Sequence, residues 1–162
     1  MSKEIMNTSK KPDLGKLGII DERALKNMDR VKRSLQGLFA GDRHALFSHF
    51  AHNVTIYEAS SLPYGGDYHG KTAACEELTL KMLSYWETVD VDIIEILGGG
   101  DYVMLNLMVT FTPYGGEPVP HPIAELWKFD GDQVIESRLF HYDTALIASI
   151  LAAHPKPAAT RL

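Results

Sequence analysis

The chain has 162 residues, of which 45% are hydrophobic and 23% are charged, and this is the composition of one ordinary globular domain. A formal net charge of −5 argues against a general nucleic-acid-binding surface, and the single cysteine excludes an intramolecular disulfide. No apolar run is long enough for a transmembrane helix and the N-terminus lacks the apolar core of a signal peptide, so we expect a cytoplasmic protein that binds neither nucleic acid nor membrane.

The two ends of the chain differ in character from the middle. Residues 1–18 carry charges, Gly and Pro with no apolar period, which predicts a loosely held tail. Pro155 and Pro157 cannot extend a helix, so residues 154–162 are predicted to form a second tail. A single domain is therefore expected over residues 19–153.

The first half of that domain has a helical pattern. Asp21 is placed to cap a first helix that ends near Gly41, and Asp42 to cap a short second helix. A strand is predicted over Val54–Glu58, and the Gly-, Pro- and Tyr-rich segment 60–70 predicts a long ordered loop. A third helix follows, with an apolar stripe made of Cys75, Leu78, Met82, Tyr85 and Trp86.

From Val89 onward the pattern is that of strands. Turn residues at 98–101, 113–118 and 130–132 separate four strands, and a short helix over 144–152 follows them. Successive strands joined by turns pair antiparallel, and a bent sheet of this size can bury one face under the helices. The predicted fold class is therefore α+β.

The last predicted hairpin places acid and imidazole groups on one face. If residues 130–132 form a three-residue loop, Glu125 lies opposite Ser137 and His121 lies opposite His141. A two-residue turn at 130–131 would instead place Glu125 opposite Glu136, which like-charge repulsion disfavours. The face shared by Glu125, His121 and His141 is predicted to be buried, because its other members are Phe129, Trp127, Ile135, Ile123 and Leu139.

Three strings resemble those of one known family. They are Pro63-Tyr-Gly-Gly-Asp-Tyr-His-Gly70, Glu125-Leu-Trp-Lys-Phe-Asp-Gly131 and Phe140-His-Tyr-Asp-Thr144. Together they resemble the SnoaL-like (polyketide cyclase and ketosteroid isomerase-like) branch of the nuclear transport factor 2-like superfamily, over about residues 21 to 153. The resemblance implies a cone formed by a strongly curved, mostly antiparallel sheet, closed by three helices around an apolar pocket. It also implies homodimerisation through the outer sheet face.

The resemblance does not choose an activity, because this scaffold hosts isomerases, polyketide cyclases, dehydratases, epoxide hydrolases and non-enzymes. The residue types favour a pocket that binds a hydrophobic, carbonyl-bearing small molecule, with acid/base isomerase, cyclase or dehydratase activity. The alternative is a non-catalytic ligand-binding or dimeric interaction module. Whether the protein is an enzyme stays open at this point.

Three residues are candidates for catalysis. Asp143 shares strand parity with His141, and either group could remove a proton once burial shifts its pKa. In SnoaL-like enzymes an acidic residue on the last strands commonly serves as acid or base, and Asp143 is the nearest match. The alternative is that Asp143 only caps the helix beginning at Thr144. Glu125 is the third candidate, and its alternative role is that of a buried acid paired to a His or Tyr for structural reasons.

Four residues are candidates for substrate binding. Tyr57 and Tyr68 could donate to a substrate carbonyl, or could simply be interior aromatics with hydrogen-bonded tips. His121, between two prolines, could point into the pocket mouth, or its segment could simply be an edge strand protected against pairing. Trp127 would shape the cavity. The His, Glu and Asp residues have donor types suited to zinc or iron, yet no motif places them on consecutive helical turns. We therefore expect no metal and no cofactor.

Overall fold

A computed structural model describes residues 13, 15 and 17–157. Most of the predicted N-terminal tail, and the last five residues of the predicted C-terminal tail, lie outside the described residues, so the predicted domain limits stay a prediction. The helices and strands within the described part are α1 (Glu22–Phe39), α2 (Arg43–Leu46), β1 (Phe50–Glu58), β2 (Gly66–His69), a π-helical turn (Ala73–Glu77), α3 (Leu78–Leu83), β3 (Thr88–Gly99), β4 (Tyr102–Thr112), β5 (Val119–Asp130), β6 (Gln133–His141) and α4 (Thr144–Ala153).

The helices begin where the capping residues predict. The Asp21 carboxylate accepts a hydrogen bond from the Ala24 backbone N–H at 2.8 Å, and the Asp42 carboxylate accepts one from the His44 N–H at 2.9 Å. Each cap pairs a backbone N–H that has no partner inside its own helix. The predicted starts of α1 and α2 are therefore confirmed.

The sheet has six strands in the order β2-β1-β6-β5-β4-β3. Neighbouring strands run antiparallel except β1 and β6, which pair in parallel and place Ile56 beside Ser137. The α+β class and the four successive antiparallel strands β3 to β6 are confirmed. The sequence interpretation missed β2, which lies inside the segment predicted as a loop and pairs with β1.

The last hairpin corrects one detail of the sequence analysis. The loop has two residues, Gly131 and Asp132, with Gly131 at a φ of 60°, and a bulge follows at Ile135. The turn and the bulge together shift the predicted pairing by two residues, so beyond the bulge every side chain stays on its predicted face. Between the turn and the bulge, the residues of β6 lie on the face opposite to the predicted one. Val134 is therefore buried in place of Ile135.

The core lies between one face of the sheet and the helices. The helices pack against the inner face of the sheet through apolar side chains: Val31 and Leu35 of α1, Leu78 of α3 and Ile147 of α4. On β4 the burial alternates strictly, so that Val103 and the odd-numbered residues after it face the core. Within the described residues, none of the helices combines the length and the apolar composition needed to cross a bilayer.

Candidate functional site

A buried pair of side chains joins the first and the last strand of the chain. The His141 Nε2 lies 2.8 Å from the Glu58 Oε1, and both side chains are only 2% exposed. The same Oε1 accepts a hydrogen bond from the Ala59 backbone N–H at 2.8 Å, so this oxygen is an acceptor. The His141 Nε2 is therefore the donor of the pair, and its ring carries the proton on that nitrogen.

A second imidazole lies beside this pair. The His121 ring is 5.4 Å from the His141 ring between centroids, and the residue is 1% exposed. Burial lowers the pKa of His121 below its ordinary value, the charge that His141 would carry lowers it further, and Asp143 opposes the decrease. His121 is therefore neutral at neutral pH.

Two aromatic residues with polar side-chain atoms, Trp86 and Tyr64, lie near the two histidines and Glu58. Trp86 follows α3 and stacks on Phe111 at 4.6 Å between ring centroids, and Phe111 lies 6.1 Å from His121. Tyr64 is fully buried in the segment between β1 and β2. Burial and the charge of Glu58 raise the pKa of the Tyr64 phenol, whereas a hydrogen bond from the Trp86 indole N–H to the Tyr64 oxygen opposes that rise.

These contacts connect six residues in a closed circuit, which we call the interior ring: Glu58, Tyr64, Trp86, Phe111, His121 and His141. Four of its polar atoms are shielded from solvent: Tyr64 Oη, Trp86 Nε1, His121 Nε2 and His141 Nδ1. Apart from the contact between the Trp86 indole and the Tyr64 phenol, they lack a hydrogen-bond partner among the described residues. A buried polar atom without a partner costs about 1–3 kcal/mol. The two imidazole nitrogens, together with the Tyr64 hydroxyl, mark the interior ring as a candidate site for a ligand that pairs them.

A second buried acid lies further along the inner face. The Glu125 Oε1 accepts hydrogen bonds from the Trp127 Nε1 and the Ser137 Oγ, both at 2.7 Å. Burial raises the pKa of Glu125 above its ordinary value, with these hydrogen bonds opposing the rise and the charge of Glu58 adding to it. Glu125 is thus held by structural partners and lies within electrostatic range of the interior ring.

The structure places the other predicted site residues outside the interior ring. Asp143 is exposed, and its carboxylate accepts a hydrogen bond from the Leu146 N–H at 2.9 Å, which caps α4. Tyr57 lies on the opposite sheet face, where the Arg138 guanidinium is 3.9 Å from its ring centroid. The Tyr68 hydroxyl donates to the Tyr64 carbonyl oxygen at 2.7 Å, so Tyr68 helps to hold the backbone of Tyr64 in place but is not part of the interior ring.

Besides Phe111, three residues of the interior ring, all with polar side-chain atoms, were not singled out from the sequence. Glu58 alternates with Val54 and Ile56 on β1, and this alternation alone would have put its carboxylate on the buried face. Trp86 was assigned to the apolar stripe of the third helix. Tyr64 lies in a segment without regular periodicity, so no pattern in the sequence indicates where its hydroxyl points.

A separate groove opens on the outside of the molecule. It has a volume of about 580 Å³ between α2 and the π-helical turn, and its walls include Phe47, Lys71, Cys75 and Leu80. No interior ring residue lines it. Among the described residues, no group of three or more His, Cys, Asp or Glu side chains is arranged to hold a metal ion.

Comparison with known proteins identifies the fold. No protein-family model matches the chain, and no curated protein matches it. Solved structures do match: a nuclear transport factor 2-like protein of unknown function from Burkholderia pseudomallei superimposes with a TM-score of 0.70 at 17% identity, covering 78% of this chain and 97% of that one. The chain has the nuclear transport factor 2-like fold.

Two further structures with this fold were determined with small molecules. TerC, co-crystallised with polyporic acid, has a TM-score of 0.70 at 15% identity and covers 78% of this chain and 98% of its own. A protein from Catenulispora acidiphila with a ketosteroid isomerase-like fold, in complex with trimethylamine, has a TM-score of 0.60 at 20% identity and covers 80% of this chain and 94% of its own. These identities establish similarity of fold alone.

Proposed function

We propose that the protein binds a hydrophobic, carbonyl-bearing small molecule at the interior ring and transfers a proton on it, with His141 as the base. The observation that carries this proposal is the Glu58–His141 pair, in which the carboxylate holds Nε2 and leaves Nδ1 without a partner. A carboxylate that fixes one imidazole nitrogen orients the ring and stabilises the imidazolium that forms when the other nitrogen takes a proton.

The surroundings of the pair suit such a reaction. The Glu58 and His141 side chains are both 2% exposed, so water competes little for the proton. The neighbouring His121 stays neutral and leaves the positive charge of a protonated His141 to be balanced by Glu58. In an isomerisation or cyclisation of a carbonyl compound, His141 returns the proton that it has taken to another atom of the same molecule. In a dehydration it delivers that proton to the departing hydroxyl, which leaves as water, so none of these reactions requires a cofactor.

The compared structures support a small-molecule site on this fold, because two of them contain polyporic acid or trimethylamine. The polar atoms of the interior ring are shielded from solvent, so a ligand must enter by local opening of the ring.

That shielding also favours a second candidate function, a binding module that holds the ligand without converting it. A closed ring with a carboxylate-bound imidazole can recognise a molecule by hydrogen bonds alone. The two functions differ in one measurable property, since only the first requires His141 to accept a proton from the bound molecule. The predicted cytoplasmic location and the predicted homodimer belong to this proposal and await their own tests.

The test follows solvent deuterium entering the carbon next to the carbonyl of phenylacetone, by NMR. Wild-type protein should accelerate this exchange, and His141→Gln, whose amide can still donate to Glu58 but cannot take up a proton, should reduce it by about 10²- to 10⁴-fold. His44→Gln, at an exposed histidine, is the matched control. Equal exchange in wild type and folded His141→Gln would contradict catalysis and leave the binding module.

Binding itself is tested by thermal shift with a panel of hydrophobic carbonyl compounds. A compound present at about 100 times its dissociation constant stabilises the folded protein by about 2.7 kcal/mol. We expect stabilisation of wild type that is reduced in Tyr64→Phe. If no compound raises the melting temperature of wild type, the binding proposal is wrong.

A further inference from the structure

The groove between α2 and the π-helical turn has the features of a second binding site. We infer that it binds a small amphipathic carboxylate, such as a medium-chain fatty acid: the carboxylate pairs with Lys71, and the apolar chain lies between Phe47 and Leu80. No residue of the interior ring lines this groove, so the second site does not depend on the proposed function.

The size of the groove suits a small molecule. Its volume of about 580 Å³ falls within the range of about 300–1,000 Å³ that is typical of ligand pockets. Phe47 at the end of α2, His52 of β1 and the helical residues from Lys71 to Leu80 contribute to its walls. Lys71 and Leu80 are nine positions apart, which is about 13 Å along a helix. The groove therefore offers a charged end and an apolar end to one extended molecule.

The walls of the groove are mainly apolar. Leu80 is 65% exposed, so most of this large hydrophobic side chain faces water. The Phe47 ring packs edge-on against the Phe50 ring at 5.3 Å between centroids, which gives the groove a fixed aromatic surface. Burial raises the pKa of the Cys75 thiol to about 12, so Cys75 is uncharged at neutral pH and adds to the apolar lining. An apolar chain that covers Leu80 removes both surfaces from water, and this favours binding.

Lys71 supplies a cation without a counter-ion at the other end. The residue is half-buried, and it has no ion-pair partner among the described residues. The chain just before it is anchored to β1, because the Gly70 N–H donates to the Val54 carbonyl oxygen at 2.8 Å. A half-buried ammonium group that lacks a carboxylate partner favours an anion from solution, and the neighbouring Thr72 hydroxyl in the groove can donate to the same anion.

Further cations make this side of the molecule positive. Burial lowers the pKa of His49, the residue before β1. Three cations lower it further, namely Arg30, Arg33 and Lys71, and Asp132 opposes them. Three positive charges thus outweigh one negative charge here, in a chain whose formal net charge is −5. An anion is therefore attracted to the Lys71 end of the groove.

Glu76 limits the ligand to a single negative charge. It lines the same groove but is exposed, so water and salt screen its charge more than that of the half-buried Lys71. The two histidines of the groove, His44 and His52, bring no negative charge. A dianion such as a phosphate monoester would have only Lys71 inside the groove to balance it and would be repelled by Glu76. A carboxylate carries one charge and fits this balance.

Three probes with the same eight-carbon chain separate the contribution of charge from that of the chain. They are octanoate, 1-octanol and octylamine, measured by isothermal titration calorimetry below the concentration at which octanoate forms micelles. A hydrogen bond to a charged group is worth about tenfold or more in affinity, so octanoate should bind at least about tenfold more tightly than 1-octanol. Added salt should weaken octanoate and leave 1-octanol unchanged. No binding of octanoate, equal affinity for octanoate and 1-octanol, or a preference for octylamine would overturn the inference.

Two variants locate the ligand in the groove. Lys71→Met keeps an apolar stem without the charge, so its affinity for octanoate should fall to that for 1-octanol, whereas Lys26→Met, at a lysine already paired with Glu22 at 2.6 Å, is the matched control. Leu80→Ser should weaken octanoate and 1-octanol by a similar factor, with Leu25→Ser, at a leucine 52% exposed on α1, as its control. Unchanged octanoate affinity in either groove variant would contradict the assigned contact.

Two further measurements decide between occupants. Glu76→Gln should bind octanoate at least as tightly as wild type, because it removes a repulsive charge; weaker binding would reject a monoanionic ligand. Light scattering should give Leu80→Ser the same oligomeric state as wild type. If Leu80→Ser instead separates a dimer into monomers, a second copy of the chain covers the groove and the inference is wrong.

Discussion

Glu125 is a buried acid whose hydrogen bonds can be retained while its charge is removed. Glu125→Gln keeps an oxygen that accepts from Trp127 and Ser137, whereas Glu125→Ala leaves both donors unpaired at about 1–3 kcal/mol each. We therefore expect Glu125→Gln to be at least as stable as wild type at neutral pH, and Glu125→Ala to be clearly less stable. Urea denaturation of the three proteins measures the difference.

The same comparison has a defined dependence on pH. The pKa of Glu125 is raised in the folded state, so on acidification the folded protein takes up this proton before the unfolded chain does. Wild type then gains stability relative to Glu125→Gln as the pH falls from the folded pKa towards the unfolded value of 4.5. A difference between the two proteins that is the same at neutral and acid pH would contradict the raised pKa.

Variants at Asp143 distinguish a helix-capping role from a catalytic role. Asn is as good an N-cap as Asp, so Asp143→Asn should leave the melting temperature nearly unchanged, whereas Asp143→Ala should cost about 1 kcal/mol. Deuterium exchange into phenylacetone should be the same in wild type and Asp143→Asn. If exchange instead falls 10²-fold or more in the folded variant, Asp143 acts on the substrate as the sequence first suggested.

For single residues, the sequence predicts which face of the sheet a side chain lies on better than it predicts which side chain it pairs with. Strand parity placed His121, Glu125 and His141 on the inner face, because alternation continues over a long strand. It could not show that the acid bound to His141 would be Glu58, since the two residues are 83 positions apart. For Asp143 parity was misleading, because β6 ends at His141 and the chain turns into α4.

The segment between β1 and β2 depends on the absence of a side chain at one position. A Cβ atom on Gly65, the residue after Tyr64, would lie 2.0 Å from the backbone carbonyl oxygen of Ala59, so the backbone of this segment would have to shift. Gly65→Ala should therefore destabilise the fold by about 1–3 kcal/mol and weaken acetophenone binding. Gly99→Ala is the control, since its Cβ would meet nothing closer than 3.7 Å. Equal denaturation midpoints for the two variants would contradict this role.

The β5–β6 hairpin shows what a local pattern leaves undetermined. The sequence Asp-Gly-Asp indicates a turn, but it does not show whether the loop is residues 130–132 or the observed pair 131–132. The bulge at Ile135 cannot be recognised from the sequence, because Val134 and Ile135 are both apolar. Only the burial of Val134 in the folded protein shows which of the two faces inward. The sequence thus predicted the strands and their turn, whereas the exact register required the tertiary packing.

The outer face of the whole sheet supports the predicted homodimer. Met104 lies between Leu97 on β3 and Leu126 on β5, and Phe140 on β6 is 54% exposed. Such an apolar outer face favours association of two copies. We expect a dimer by light scattering at micromolar concentration, converted to an 18.0 kDa monomer by Met104→Glu but not by Glu22→Gln on α1. A wild-type monomer under these conditions would refute the prediction.

The overall architecture was predictable because each long element carries its own signal. The capped, periodic α1 and the strictly alternating β4 need no distant contact to be recognised. The parallel pairing of β1 with β6 has no local signature, since nothing in either strand specifies the other. The short β2, four residues long, is stabilised by its neighbour β1 rather than by its own pattern.

The parallel pairing of β1 with β6 also determines when the interior ring can form during protein synthesis. β1 emerges from the ribosome long before β6, and until β6 follows it the Glu58 carboxylate has no imidazole to bind. The chain must therefore close its longest loop late, which slows folding relative to a sheet made of neighbouring hairpins. A nascent chain that stops before His141 has its hairpin β3–β4 but no complete interior ring, so the capacity to bind a ligand arises only when the last strand docks beside the first.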